Sequence, residues 1–168
     1  ELGAAAIVDR FTGIYLKPRR PTTNGTHILV KAERSSKIES LHLLRSGIDA
    51  TDSGLVVFSS KSQEQDVIYV YSLKDEKIVG AYRLKGLVAA RSPRFSPDGR
   101  QVVFSGIDKS GYADLYLLDL AGGEYRAITH DIYNDLDPVF SRDGARIVFA
   151  SDRCDGGEAG ACNLFELD

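Results

Sequence analysis

The side chains able to do chemistry in this 168-residue sequence fall into three groups. The first is its three histidines, His27, His42 and His130, which stand apart from one another and form no H-E-x-x-H, the spacing that sets two imidazoles on one helix face around zinc. A G-x-S-x-G elbow and a phosphate-cradling glycine loop are also missing, so no catalytic residue and no cofactor is assigned. His130 follows YRAIT and is expected at the end of an outer strand, facing solvent.

The second group is acidic. HDIYNDLDP gathers Asp131, Asp135 and Asp137, and SDRCDGGEAGACN gathers Asp152, Asp155 and Glu158. Calcium is held by several oxygen ligands, which either cluster offers. Neither has the spacing of an EF-hand loop, and solvated connecting loops have the same composition, so both readings stand and no metal is assigned. The third group is Cys154 and Cys162, placed near the two ends of one glycine-rich loop. Opposed positions on a hairpin lie at about 5 Å, the separation a disulfide needs. Such a bridge would close a ring of about nine residues, stabilise the fold by about 2.5 kcal/mol, and place the protein outside the reducing cytosol. Free thiols are the alternative; zinc is disfavoured because no C-x-x-C and no nearby histidine completes a site.

These groups sit between short apolar runs, and the runs repeat. PRFSPDG at 93–99 returns as PVFSRDG at 138–144, and the turn glycines Gly54, Gly99 and Gly144 are spaced 45 residues apart (99 − 54 and 144 − 99). After each glycine comes a first run, LVVFSS, VVFSG or IVFAS, then a second, IYVYSL, LYLLDL or LFELD. A third, VGAYRL or YRAIT, precedes the next turn-bearing strand, which makes four strands per period. Runs rich in Val, Ile, Tyr and Phe, bounded by Gly, Asp and Ser at regular spacing, are an all-β pattern, and a period near 45 with four strands has the size of a propeller blade. Asp98 and Asp143 are expected to accept backbone hydrogen bonds across the turn while Gly99 and Gly144 take positive φ. Phe95, Phe104, Phe140 and Phe149 are expected to fill the space between neighbouring sheets.

The count has two irregularities. Gly25 to Gly54 is 29 residues, 16 short of the period, with SLHLLRS at 40–46 read as a strand of the first unit and the following turn-bearing strand lost between Gly47 and Thr51. At the other end LFELD aligns with LYLLD, so the last unit stops before its outer strand. Open strand edges of this kind favour self-association.

FSPDGRQVVFSG followed by DLYLLDL, and the second copy VFSRDGARIVFASDR, resemble the WD-like repeats of TolB-type β-propellers. The likeness is specific over 90–168 and weaker over 25–89, where DSGLVVFSS and NGTHILVKAE keep only the turn glycine and the apolar run. It implies an all-β fold, a β-propeller of four-stranded antiparallel blades at 14–47, 48–89, 90–134 and 135–168, about 3.7 blades of a six-bladed ring. The chain would then be part of a larger propeller. The resemblance further implies a non-catalytic module that binds a protein or peptide in an extracytoplasmic, envelope-transport setting, or alternatively the gating or docking domain of a larger peptidase. In the family the connection entering the innermost strand lies on one rim of the central channel. That places Arg91 and Ser92 in register with Leu136 and Asp137, and makes Arg91, Ser92, Tyr133, Asp135 and Asp137 the candidate binding residues. A net charge of −3 with scattered Lys and Arg argues against nucleic acid, and no apolar run approaches the roughly 18 residues of a membrane span.

Overall fold

The computed structural model of the chain describes residues 2–3, 13–18, 27–31, 40–41, 47–63, 65–154 and 162–168. His42, Asp155 and Glu158 lie outside them. Every regular element in the described residues is a strand: β1 Leu2–Gly3, β2 Gly13–Pro18, β3 His27–Lys31, β4 Ser40–Leu41, β5 Asp49–Ala50, β6 Leu55–Ser62, β7 Gln65–Ser72, β8 Lys77–Arg83, β9 Ala89–Phe95, β10 Gln101–Ile107, β11 Ala113–Asp119, β12 Tyr125–Ala127, β13 Asp135–Phe140, β14 Ile147–Ser151 and β15 Asn163–Leu167. All pairings are antiparallel, in four sheets ordered β1-β2-β3, β4/β5-β6-β7-β8, β9-β10-β11-β12 and β13-β14-β15.

The shortfall near residue 50 resolves into a split strand. Ser40–Leu41 pairs with Lys61 and Ser60 of β6, and Asp49–Ala50 pairs with Val57 and Val56 of the same edge. SLHLLRS, expected in the first blade, therefore contributes β4 to the second sheet. The physical reason is that β6 runs apolar through Phe58 and continues to Ser62, and its backbone groups on that edge need partners along the whole length.

The repeated turn forms as expected. Gly99 has φ 69° and Gly144 has φ 74°, a region costly for any side chain. Ser96 Oγ donates to Asp98 Oδ1 at 2.6 Å, the same carboxylate oxygen accepts Arg100 N–H at 3.1 Å, and Gln101 N–H returns to Ser96 Oγ at 2.9 Å. Ser141, Asp143, Ala145 and Arg146 repeat this set one period later. The hydrogen bonds that Ser96 and Ser141 donate hold the Asp98 and Asp143 carboxyls below their ordinary pKa.

Alternation in the middle strands sends successive side chains to opposite faces, and here both faces are apolar. Val56 and Phe58 of β6 pack with Val30, Tyr69 and Tyr71 on one side, while Val57 packs on the other with Phe95, Val102 and Phe104. In the third sheet Val102 and Phe104 join that second cluster, whereas Val103 and Leu115 turn the other way to meet Ile147, Phe149 and Phe140. The second and third sheets thus each lie between two neighbours, and each fully buried Phe, Leu or Val contributes about 1.5–3 kcal/mol. The outer strand β8 instead alternates exposed and half-buried residues, one face turned to water.

Packing in this core is close enough to exclude a methyl group. A Cβ on Gly106 would lie 2.7 Å from Tyr116 Cδ2 and 2.9 Å from Leu87 Cδ1, and the Tyr116 ring cannot retreat because it stacks on Phe104 at 5.5 Å. Gly106→Ala is expected to lower stability by about 1–3 kcal/mol in urea unfolding, as overpacking does; an unchanged midpoint would show that the ring has room.

Candidate functional site

The inner strands of consecutive sheets meet one another in sequence order, β5 against β9 and β9 against β13. Their contacts recur near the repeat interval. Arg94 Nη1 donates to the Ile48 carbonyl at 2.6 Å, Phe95 N–H to Asp49 Oδ2 at 2.9 Å, and Ser92 Oγ to Asp137 Oδ1 at 2.5 Å. Ser92 and Asp137 occupy the same place in successive sheets. In β9 the register slips between Arg94↔Val103 and Arg91↔Ser105, leaving Ser92-Pro93 as an extra residue; in β13 it slips between Leu136↔Ala150 and Val139↔Val148, at Asp137-Pro138. Both Ser92 and Asp137 have φ 50°. Proline suits the bulge because a position outside the ladder has no use for an N–H, and a non-glycine residue held in the left-handed region costs about 1 kcal/mol or more.

Around this point the expected rim residues separate. Asp137 is exposed, and Arg91 and Tyr133 are half-buried. Ser92 is buried, with 3% of its surface accessible, and Asp135 is wholly so. These two position the bulge and the inner strand and present little surface to a partner. Asp135 accepts Arg153 Nη2 through both carboxylate oxygens at 2.6 and 2.7 Å, and its carbonyl accepts Ser105 Oγ of the preceding sheet at 2.7 Å.

The acidic group in HDIYNDLDP also assembles differently from its sequence order. Asp131 and Asp135 are joined by Asp114, their carboxylate oxygens within 4.8 Å of one another, while Asp137 turns to Ser92. The cation shared by Asp131 and Asp135 is Arg153, whose Nη2 also lies 3.0 Å from Asp131 Oδ2. Ser151 Oγ accepts Arg153 Nε at 2.9 Å, and the guanidinium lies 5.5 Å from the ring centres of Tyr133, Phe149 and Phe165. Arg153 and Asp114 were missed in the sequence: an Arg in SDR and an Asp opening an apolar strand carry no spacing signal that joins them to residues 131–135. Burial pushes the Asp114 carboxyl up in pKa, against the Asp131 N–H donated at 3.2 Å and His130 Nδ1 at 3.6 Å. His130 itself is exposed, as expected. Asp152, from the other acidic group, accepts Asn134 N–H and Nδ2, both at 2.8 Å, which holds its carboxyl down and ties the connection before β13 to the end of β14.

Cys154 and Cys162 are both exposed free thiols. The bridge suggested by their spacing is not formed here; the last paired residues of β14 and β15 are Ser151 and Asn163.

Antiparallel sheets repeated at a fixed interval, the second and third burying both faces against their neighbours, with inner strand turned to the next inner strand, define blades of a β-propeller. The chain belongs to the TolB beta propeller domain family, whose sequence profile matches residues 38–162. It is similar in fold to TolB from Acinetobacter baumannii, with a TM-score of 0.68 and 17% identity, covering 95% of this chain and 39% of that one. It is also similar to a Mycobacterium tuberculosis puromycin-hydrolyzing peptidase, with a TM-score of 0.52 and 17% identity over 74% of this chain and 21% of the other. Among curated proteins it is 33% identical over 96 residues to the uncharacterized peptidase YuxL of Bacillus subtilis (strain 168), 55% of this chain and 14% of that protein. The chain therefore spans a minor part of each.

Two outcomes follow from the charge cluster. Arg153→Ala leaves Asp135 buried and unpaired and is expected to cost about 3–5 kcal/mol in urea unfolding; a loss under 1 kcal/mol would mean that Asp135 finds another donor. Asp114 has a raised folded pKa, so its contribution favours the fold at low pH and is lost as pH rises through that value. Asp114→Asn is accordingly expected to gain stability over the parent at pH 7, the difference vanishing below about pH 3.9, the unfolded carboxylate value. A difference that grows on acidification contradicts the assignment.

Proposed function

We propose that this chain is a non-catalytic propeller module that binds a protein or peptide at the channel rim around Arg91, Tyr133 and Asp137. The observation that supports it is the pair of proline-linked bulges. Left-handed backbone at non-glycine residues is retained in two successive blades, where the inner strands meet and an exposed Asp137 is held by a buried Ser92. Strain of this kind concentrates at binding positions. A bulge at the end of an inner strand also aims side chains away from the ladder. An extracytoplasmic setting belongs to this reading through the family resemblance.

A second reading, a gating or docking propeller within a larger peptidase, is favoured by the 33% identity to YuxL over 96 residues. The two differ in the whole gene product: hydrolysis of an aminoacyl p-nitroanilide by the full-length protein supports the second and opposes the first.

The rim is tested by photo-cross-linking. Benzoyl-phenylalanine at Arg91 in the full-length protein, in its native cells, is expected to capture a second polypeptide, whereas the same group at Val79, on the exposed face of β8, captures none. Asp137→Asn is expected to lower the Arg91 adduct about fivefold, the loss of roughly 1 kcal/mol of polar contact. Equal capture from both positions, or an adduct indifferent to Asp137, removes the rim from consideration.

A further inference from the structure

The connection from β12 to β13 is held at its ends and in its middle by different chemistry. At its start Ile128 N–H donates to the Leu115 carbonyl and Leu115 N–H to Thr129 Oγ1, both at 2.8 Å. At its end Asn134 is tied to Asp152, and Asn134 Oδ1 accepts Ala113 N–H at 3.3 Å. Between them Ile132 is 68% exposed, so apolar burial does little for the middle. The hold there comes from charge: Asp114 Oδ1 accepts Asp131 N–H at 3.2 Å, Asp131 reaches Arg153, and His130 Nδ1 stands 3.6 Å from Asp114 Oδ2.

The charges around Asp114 do not balance. Facing it are Asp131 from the connection, Asp135 from β13 and His130, with Tyr116 two residues along β11. Arg153, from beyond β14, reaches Asp131 and Asp135, while Asp108, in the turn after β10, faces His130. Tyr116 stays neutral, since burial pushes its phenol up. Three ionised carboxylates, Asp114, Asp131 and Asp135, therefore exceed the one guanidinium among them. The Asp114 side chain is 2% exposed, so water does little to screen its charge.

We propose that a proton held between His130 Nδ1 and Asp114 Oδ2 fastens the middle of this connection, residues 130–133, to the third blade, and that the connection loosens when the proton leaves. With the proton bound, the imidazolium and the buried carboxylate attract across 3.6 Å and draw His130 and Asp131 onto β11. An imidazole ordinarily changes charge between about pH 5 and 8. Above that range Asp114 faces the Asp131 carboxylate without the imidazolium to offset the repulsion.

The folded pair holds its proton more firmly than the unfolded chain does, so the fastening is complete at low pH and is lost as pH rises. The raised pKa of Asp114, caused first by burial, has the same sign. The proton belongs to the pair and not to either residue alone. Because the His130 side chain is 83% exposed, solvent screens its half of the contact, and the consequence is a few-fold change in local opening rather than separation of the blades. Tyr133 lies in the fastened segment, so the device governs how steadily one rim residue is presented. The inference does not need rim binding, since it is read on the connection itself.

Hydrogen exchange of the full-length gene product tests it. The protection factor of segment 130–133, which removes the intrinsic pH dependence of exchange, is expected to fall about fivefold from about pH 5.5 to about pH 8, while β10 keeps its protection. In His130→Gln and in Asp114→Asn the fall should vanish. Asp108→Asn removes the other carboxylate that faces His130 and should retain it. The proposal is overturned by the absence of a fall in the parent, by an equal fall in β10, by an undiminished fall in His130→Gln or Asp114→Asn, or by its loss in Asp108→Asn. Should Asp114→Asn not fold, His130→Gln, at an exposed position, decides by itself.

Discussion

The structure depends on sheets that are apolar on both faces. A strand such as VVF in β10 sends Val102 and Phe104 one way and Val103 the other, and neither side tolerates water. No single sheet can satisfy that demand alone. It must stand between two others, and each of those inherits the same demand. Stacking in a curved row, inner strand to inner strand, follows from this requirement, together with the twist that makes stacked sheets splay into wedges.

Polar residues then act where the apolar stack needs fixed geometry. The Ser-x-Asp-Gly turn sets the register of β9 with β10 and of β13 with β14, and a slip of one residue would exchange the two faces of each strand. The inner strands carry the other polar device, the bulge at Ser92-Pro93 and Asp137-Pro138, whose two side chains link one blade to the next. Blade contact is thereby apolar through the sheet and hydrogen-bonded at its inner edge, which leaves the inner edge as the place where charge meets solvent.

The buried ions between the third and fourth sheets follow the same logic. Arg153 draws Asp131 and Asp135 together beneath three aromatic rings, with Asp114 of the preceding sheet close by. Burying these charges has a desolvation cost that their mutual attraction offsets only in good geometry. Such a cluster fixes how β13 sits on β14 and β11 more sharply than apolar contact would, since a small shift leaves a carboxylate without its donor.

The 45-residue period, the four-strand unit, the DG turns and the inter-sheet phenylalanines were all legible in the chain, because each is local: alternation, turn chemistry and spacing along one strand are written in consecutive residues. The equivalence of Ser92 with Asp137 was legible for the same reason. What tertiary structure alone decided were the partners. Asp135 looked like a surface ligand and became a buried acceptor for Arg153, eighteen residues on. Ser40–Leu41, read from the sequence as part of the first unit, crossed to the second sheet. Pairing energies depend on which edges and faces are left unsatisfied after the sheets have stacked, and that is a property of the assembled neighbours, which no short stretch of sequence contains.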